Sequence, residues 1–193
     1  MHAAQTTLDK IYKLPNNFHK VGILGEPVLR AIAKYAESME VINTVETGSG
    51  QSTLLFSHIS LSHKVFALDA VAGADTKSVS AVKHSELYNS DSVEYIIGPT
   101  QITLPNYKFE KALDIVLIDG PHAYPFPELE YYYLYPHIRA DGLLIIDDIH
   151  IPSVANMFSV LCEDKMFLLE NIIHTTGFLR RTNAPVFLSL IHI

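Results

Sequence analysis

Carboxylates recur in this chain where short apolar runs stop. Glu46 closes Val41–Thr47, Asp69 closes Lys64–Asp69, Asp119 closes Leu113–Asp119, and Asp147 with Asp148 closes Leu143–Asp148. If those runs are strands of an open parallel sheet, the acids line one rim, where such sheets bind their ligands. A charge at a buried strand end is costly without a partner, so chance scatter explains these acids poorly. Asp119, Asp147 and Asp148 would repel one another unless protonated or neutralised by a cation. Oxygen donors of this kind suit Mg²⁺ or another hard divalent ion. Such an ion on a substrate hydroxyl makes the oxyanion available near neutral pH. His122, three residues past Asp119, and His150, two past Asp148, titrate in the range a general base needs. They are the candidate catalytic residues, His122 first. A plainer alternative is that Asp147 and Asp148 serve the positive end of a helix over 152–164, and that both histidines only furnish loops.

Between the first acid and the next helix the chain reads Glu46-Thr47-Gly48-Ser49-Gly50-Gln51-Ser52-Thr53. Gly48 and Gly50 allow a tight turn and close approach to a ligand, with helix N–H groups behind them. Asp69 follows by about 20 residues, the spacing at which nucleotide-binding folds grip ribose hydroxyls. The third glycine of a dinucleotide fingerprint is replaced by Thr53, so a pyrophosphate-binding reading loses ground.

The elements that must position these residues are legible in outline. The chain has 193 residues, 48% hydrophobic and 18% charged, with net charge −7. Average chains carry about 25% charged residues, so this is a core-rich sequence, and disorder is excluded. Strands at Val41–Thr47, Lys64–Asp69, Val93–Gly98, Leu113–Asp119 and Leu143–Asp148 alternate with helices over 52–60, 76–89, 127–138 and 152–164. A further helix opens at Glu26-Pro27, with Val28, Leu29, Ile32, Ala33 and Ala36 as its apolar stripe. This alternation predicts βαβ crossovers, a parallel sheet and one α/β domain over 1–193, with a helical segment to about residue 40 and the core over 41–193. The tail differs: Phe167–His174, Gly177–Thr182 and Val186–Ile191 are β-rich and closely spaced, which predicts an antiparallel ribbon at the sheet edge. Tyr131–Tyr135 read as packing residues and Tyr124 and Phe126 as candidate pocket walls.

Composition also excludes. With 14 scattered Lys and Arg no basic face offers phosphate contacts, so nucleic acid is not the expected partner. One cysteine, Cys162, forms no internal disulfide and fits a reducing compartment. Ten histidines invite zinc, but no ligand-spaced motif supports it. No stretch approaches the ~20 apolar residues of a membrane span, and the first residues lack a signal-peptide profile. A cytoplasmic protein is expected, with a small-molecule substrate and a second copy of the chain as candidate partners.

Val45 to Thr53 resembles the first motif of class I S-adenosylmethionine-dependent methyltransferases. Ile118-Asp119-Gly120-Pro121-His122-Ala123-Tyr124 and Asp141–Asp148 extend the resemblance to the small-molecule O-methyltransferase branch that includes macrolide-sugar and catechol enzymes. Four motifs fall in order across roughly residues 40–182. The resemblance implies a Rossmann-like seven-stranded sheet, mostly parallel, with helices on both faces and an antiparallel C-terminal edge. It implies that Glu46, Thr47, Gly48, Ser49, Gly50 and Ser52 surround the methionine part of S-adenosylmethionine. Asp69 with Ala70 would meet the ribose, residues around Gly98 would flank the adenine, and Asp119 would lie beside the cofactor. Asp119, Asp147 and Asp148 match the positions that hold a divalent metal. Two departures stand out: Pro99-Thr100 after Gly98, where relatives often place an acidic or hydroxyl residue, and Pro121, where sugar-modifying relatives carry an acid.

The expected function is methyl transfer from S-adenosylmethionine to a hydroxyl of a small molecule, assisted by Mg²⁺ or another divalent ion. The rivals are an NAD(P)-dependent oxidoreductase, a non-catalytic cofactor-binding protein of the same fold, and a related enzyme using the metal for other chemistry, as cephalosporin-hydroxylase-like relatives suggest. Tyr107 and Lys111 have a reductase pair's spacing, yet Pro105 and Asn106 set them in a loop.

Overall fold

The computed structural model describes residues 2–14, 24–68 and 78–185. Its helices are α1 (His2–Ile11), α2 (Glu26–Ser38), α3 (Gln51–Ile59), α4 (Ser78–Lys83), α5 (Thr100–Asn106), α6 (Phe126–Leu134) and α7 (Pro152–Glu163). Its strands are β1 (Asn43–Thr47), β2 (Ser62–Ala67), β3 (Val93–Ile97), β4 (Leu113–Ile118), β5 (Ile138–Ile146), β6 (Phe167–Ile173) and β7 (Thr176–Arg181). They form one seven-stranded sheet in the order β3-β2-β1-β4-β5-β7-β6. The first five strands pair in parallel, and β7 lies antiparallel between β5 and β6. The Rossmann-like expectation, antiparallel edge included, is met.

Period-2 alternation within buried strands makes two cores. Val45, Val116, Leu144 and Leu179 face the layer built by α5, α6 and α7. Ile115, Leu117, Ile145 and Phe178 face α1, α2 and α3. All six residues of β4 are buried, which is why its sequence is a continuous apolar run. At the far end of the sheet Asp114 accepts the Ile42 and Asn43 amides at 2.8 and 2.7 Å and Arg139 Nε at 2.6 Å. That carboxylate pins the start of β1 to β4.

Several boundaries differ from the sequence reading. The helix expected over 127–138 ends at Leu134, and a 3₁₀ turn at Tyr135–His137 leads into β5 five residues before the expected 143. Pro136 lacks the N–H that would continue the helix. The helix expected over 76–89 reaches only Lys83 within the described residues, followed by a 3₁₀ turn at Ser90–Ser92. Helix α1 falls within the helical segment expected to residue 40, where the sequence places only α2, and α5 was not anticipated; Leu104 anchors α5 against the core despite Pro105 in its last turn. The third tail segment, Val186–Ile191, lies outside the described residues. No described helix is long and apolar enough to cross a membrane.

Candidate active site

The strand order reverses between β1 and β4, so the crevice of this sheet opens beyond their carboxyl ends. The ladder runs one residue past the strands there: Gly48 N–H donates to Phe66 O at 2.9 Å, Gly98 N–H to Ala67 O at 3.0 Å, and Asp147 N–H to Ile118 O at 3.0 Å. The Asp119 amide donates to Thr47 Oγ1 at 3.1 Å, joining the two central strand ends. Above this rim lies a cavity of about 1100 Å³. The 48–52 turn, the ends of β2 and β4, the starts of α2 and α5, and the β6–β7 turn all line it. Its volume lies just above the usual range of small-molecule sites, about 300–1000 Å³.

Gly48 has φ +93°, and a Cβ there would lie 2.4 Å from the Asp119 carbonyl oxygen. Only glycine lets the chain turn this tightly against β4. Gly48, Ser49, Gly50 and Ser52 face the cavity. Glu46 and Thr47 do not line it. Glu46 is 1% exposed and bends back under the turn, accepting Ser52 Oγ at 2.6 Å, Thr53 Oγ1, and His63 Nε2 at 3.2 Å. Gly98 ends β3 with φ +144°, and the following Pro99, Thr100 and Gln101 line the cavity. Asp69 and Ala70 lie outside the described residues.

The structure gathers Asp119, His122 and Asp148: one ligand atom from each lies within 4.8 Å of the others. His122 Nε2 is 3.3 Å from Asp148 Oδ2 and 3.8 Å from Asp119 Oδ1. That nitrogen is buried and has no aligned hydrogen-bond partner among the described residues. Asp147 lines the cavity, but its carboxylate accepts the Thr176 hydroxyl and lies outside this group. The sequence grouping of three aspartates is therefore reproduced for two, with an imidazole beside them. His150 sits 3.6 Å from Asp148 Oδ1, is 60% exposed and does not line the cavity. Asp148 turns the chain with φ +54°, a conformation aspartate tolerates better than most side chains. A hydrogen bond from Ser153 Oγ to the His122 carbonyl steadies the loop that carries the imidazole.

Burial pushes the Asp119 carboxyl up to about 7, Asp147 adding to the shift and His122 opposing it. Burial also raises Asp147. His122 is raised above the usual imidazole value, chiefly by Asp119. The site therefore concentrates negative charge that a cation or a sulfonium would relieve.

Some residues were not flagged by the sequence. Thr176 and the β6–β7 turn reach the cavity because β7 inserts beside β5, a non-local pairing with no local signal. Tyr124 is 77% exposed and forms no wall, whereas Phe126 does. Tyr135 is buried and stacks on Tyr131 at 4.9 Å, as packing residues do, whereas Tyr132 is 56% exposed and departs from that reading. Glu130 on α6 is 1% exposed, and neither carboxyl oxygen has a hydrogen-bond partner among the described residues. Its carboxyl lies against Gly120, where a Cβ would come within 2.3 Å of Oε1.

Burial raises Glu130 to about 7. The folded state thus keeps a proton that the unfolded chain has released, so this group's stabilising contribution is full below about pH 4 and is lost as pH rises through 7. In chelator, wild-type stability is expected to fall between pH 5 and 8. Glu130→Gln should reduce that fall by about 2–3 kcal/mol. Urea melts at both pH values measure it; equal slopes in the two proteins would refute the assignment.

A family model described as a methyltransferase domain matches residues 45–149. Among solved structures, TomG from Streptomyces achromogenes, an O-methyltransferase of tomaymycin synthesis in complex with SAM, aligns with TM-score 0.67 at 13% identity, covering 94% of this chain and 90% of that one. SAH-bound PaMTH1 from Podospora anserina aligns with TM-score 0.62 at 15% identity, covering 95% and 89%. MycE of the mycinamycin pathway, in complex with Mg and SAH, aligns with TM-score 0.59 at 15% identity, covering 93% of this chain and 54% of MycE. At these identities the likeness is one of fold. No curated protein matches the sequence. The chain belongs to the methyltransferase-domain family, and its fold is the one seen in the SAM- and SAH-bound structures.

Proposed function

We propose that this methyltransferase transfers its methyl group to a hydroxyl of a small molecule, with a divalent cation held by Asp119, His122 and Asp148. The carrying observation is the buried His122 Nε2, without an aligned hydrogen bond among the described residues, set between two carboxylates that line the cavity. Two carboxylates and one imidazole fit Mg²⁺, and fit Mn²⁺ better than an all-oxygen set would. When bound there, the cation would acidify an acceptor hydroxyl.

The chain's own residues do the rest. The Gly48–Ser52 turn offers backbone close to a ligand, and Gln51–Ile59 begins a helix whose first N–H groups favour a carboxylate. Thr100 and Gln101 stand where the adenine is expected, beyond Gly98. In the reaction the acceptor oxygen forms the new bond to carbon, the carbon–sulfur bond breaks with its electron pair on sulfur, and the hydroxyl proton leaves for solvent or a base. The protein's task is to align oxygen, carbon and sulfur while water is excluded. Phe126, Val28 and Leu24 give the cavity its apolar wall for that purpose.

A second reading has His122 as the proton acceptor itself, favoured by its place on the cavity and its raised basicity. The two readings separate cleanly. His122→Asn should lose Mn²⁺ affinity if the imidazole is a ligand, and retain it while losing rate if it is the base.

Calorimetry with S-adenosylmethionine, S-adenosylhomocysteine and NADH, each with and without Mn²⁺, tests the proposal, followed by tritiated methyl transfer to a panel of catechols and hydroxylated sugars. Binding of both sulfur compounds, Mn²⁺-dependent labelling of a hydroxyl, and loss of that dependence in Asp148→Ala are expected. Tight NADH binding without a response to the sulfur compounds would overturn it.

A further inference from the structure

Beneath the glycine turn lies a polar chain that the proposed chemistry does not use. His63, at the start of β2, is fully buried and stacks on Phe56 at 4.8 Å. Its Nδ1 is 2.8 Å from Thr44 Oγ1, which is 2.7 Å from Ser60 Oγ. Its Nε2 is 3.2 Å from Glu46 Oε1. Glu46 also accepts Ser52 Oγ at 2.6 Å and Thr53 Oγ1, and Thr53 Oγ1 accepts the Gly50 amide at 3.0 Å.

With Glu46 ionised and His63 neutral, every bond has one direction. An ionised carboxylate only accepts, so the Ser52 and Thr53 hydroxyls donate to Glu46, and so does His63 through Nε2–H. A neutral imidazole that donates at Nε2 accepts at Nδ1, so Thr44 donates to it and Ser60 donates to Thr44. Because the Thr53 hydrogen is spent on Glu46, its oxygen is free to take the Gly50 amide. A single tautomer of His63 therefore satisfies the whole chain from the base of β1 to the turn. The Glu46 charge is carried by three donors, Ser52, Thr53 and His63, and losing one of them would be costly at this burial.

We infer that His63 is a positioning residue for the cofactor turn, holding Glu46 so that Ser52, Thr53 and the Gly50 amide keep one arrangement under the ligand. Without the imidazole, Glu46 Oε1 loses a donor in a dry site. The carboxylate would then swing or take up water, and the two hydroxyls that fix the first turn of α3 would follow it. Ser52 and Gly50 face the cavity, so the effect reaches the ligand directly. The inference rests on the proposed placement of the cofactor at Gly48–Ser52.

The test is calorimetry with S-adenosylhomocysteine on wild type, His63→Leu and His63→Gln, together with amide hydrogen exchange. His63→Leu should weaken binding about tenfold, the scale of one hydrogen bond lost to a charged group. Exchange should quicken at Gly50–Thr53 while β4 and β5 remain protected. His63→Gln, whose amide can donate to Glu46, should recover most of the affinity. In wild type, ¹⁵N shifts should report the Nε2–H tautomer for His63. Unchanged affinity in a folded His63→Leu, or the opposite tautomer, overturns the inference. Should His63→Leu not fold, Thr44→Val carries the test, since it removes the Oγ1 bonds to His63 Nδ1 and Ser60 and leaves the imidazole beside Glu46; a few-fold weaker binding supports the inference and wild-type binding overturns it. Placement of the cofactor is read separately: S-adenosylhomocysteine must slow wild-type exchange at 48–53, and its failure to do so defeats the placement whatever His63 does.

Discussion

Gly48→Ala is expected to remove S-adenosylhomocysteine binding from the calorimetric range and to lower stability by about 3 kcal/mol. Two costs combine. A non-glycine residue held at φ +93° is strained by about 1–2 kcal/mol. Its Cβ would also sit 2.4 Å from the Asp119 carbonyl oxygen, so the ends of β1 and β4 must part; overpacking of this kind costs about 1–3 kcal/mol. Those two strand ends carry the turn and the proposed cation site, which makes binding more sensitive than folding. Thermal unfolding with and without S-adenosylhomocysteine reads both effects. An alanine variant that binds like wild type would show that the turn does not meet the ligand.

The second large effect is expected at Asp119. Asp119→Asn keeps shape and removes charge, and should lower Mn²⁺ affinity by more than a hundredfold. If the cation activates the hydroxyl, methyl transfer at saturating S-adenosylmethionine should drop by about a thousandfold, the scale of several kcal/mol of lost charge stabilisation. A pH signature accompanies it. The carboxyl is pushed up to about 7, and a cation binds only the ionised form. Wild-type Mn²⁺ affinity should therefore climb as pH rises through 7 and level off only once the His122 imidazole has also lost its proton, whereas the Asn variant should lack that carboxyl's contribution to the climb. Titration calorimetry from pH 5.5 to 8.5 measures the curve; retained turnover in Asp119→Asn would exclude the cation's role.

Much of the fold was legible because strands buried on both faces leave continuous apolar runs, β4 most plainly. The rim was legible because acids interrupt those runs at their ends. Other features lacked a local signal. In β5 the buried Ile138 is followed by Arg139, Ala140 and Asp141, which are partly or fully exposed, so a continuous apolar run marks only its second half. Asp147 looked equivalent to Asp148, but its partner Thr176 is 29 residues away on a strand that pairs out of order. His63 and Glu130 are polar side chains whose burial depends on elements distant in the chain. A single polar letter beside Ser62 and Lys64, or within a tyrosine-rich helix, reads as solvated surface until the packing is known.

The insertion of β7 between β5 and β6 has a consequence for biosynthesis. A nascent chain that has emerged through α7 already owns all five parallel strands, yet β5 is still an open edge. Asp147 then has no Thr176 to hold it, and the wall formed by His174 to Thr176 is missing. Ribosomes add about 5–20 residues per second, so the closing hairpin trails the end of β5 by roughly 2–7 s. During that interval the acids at the rim are in place and the pocket above them is not. The cavity is therefore walled off only after all five parallel strands have been made.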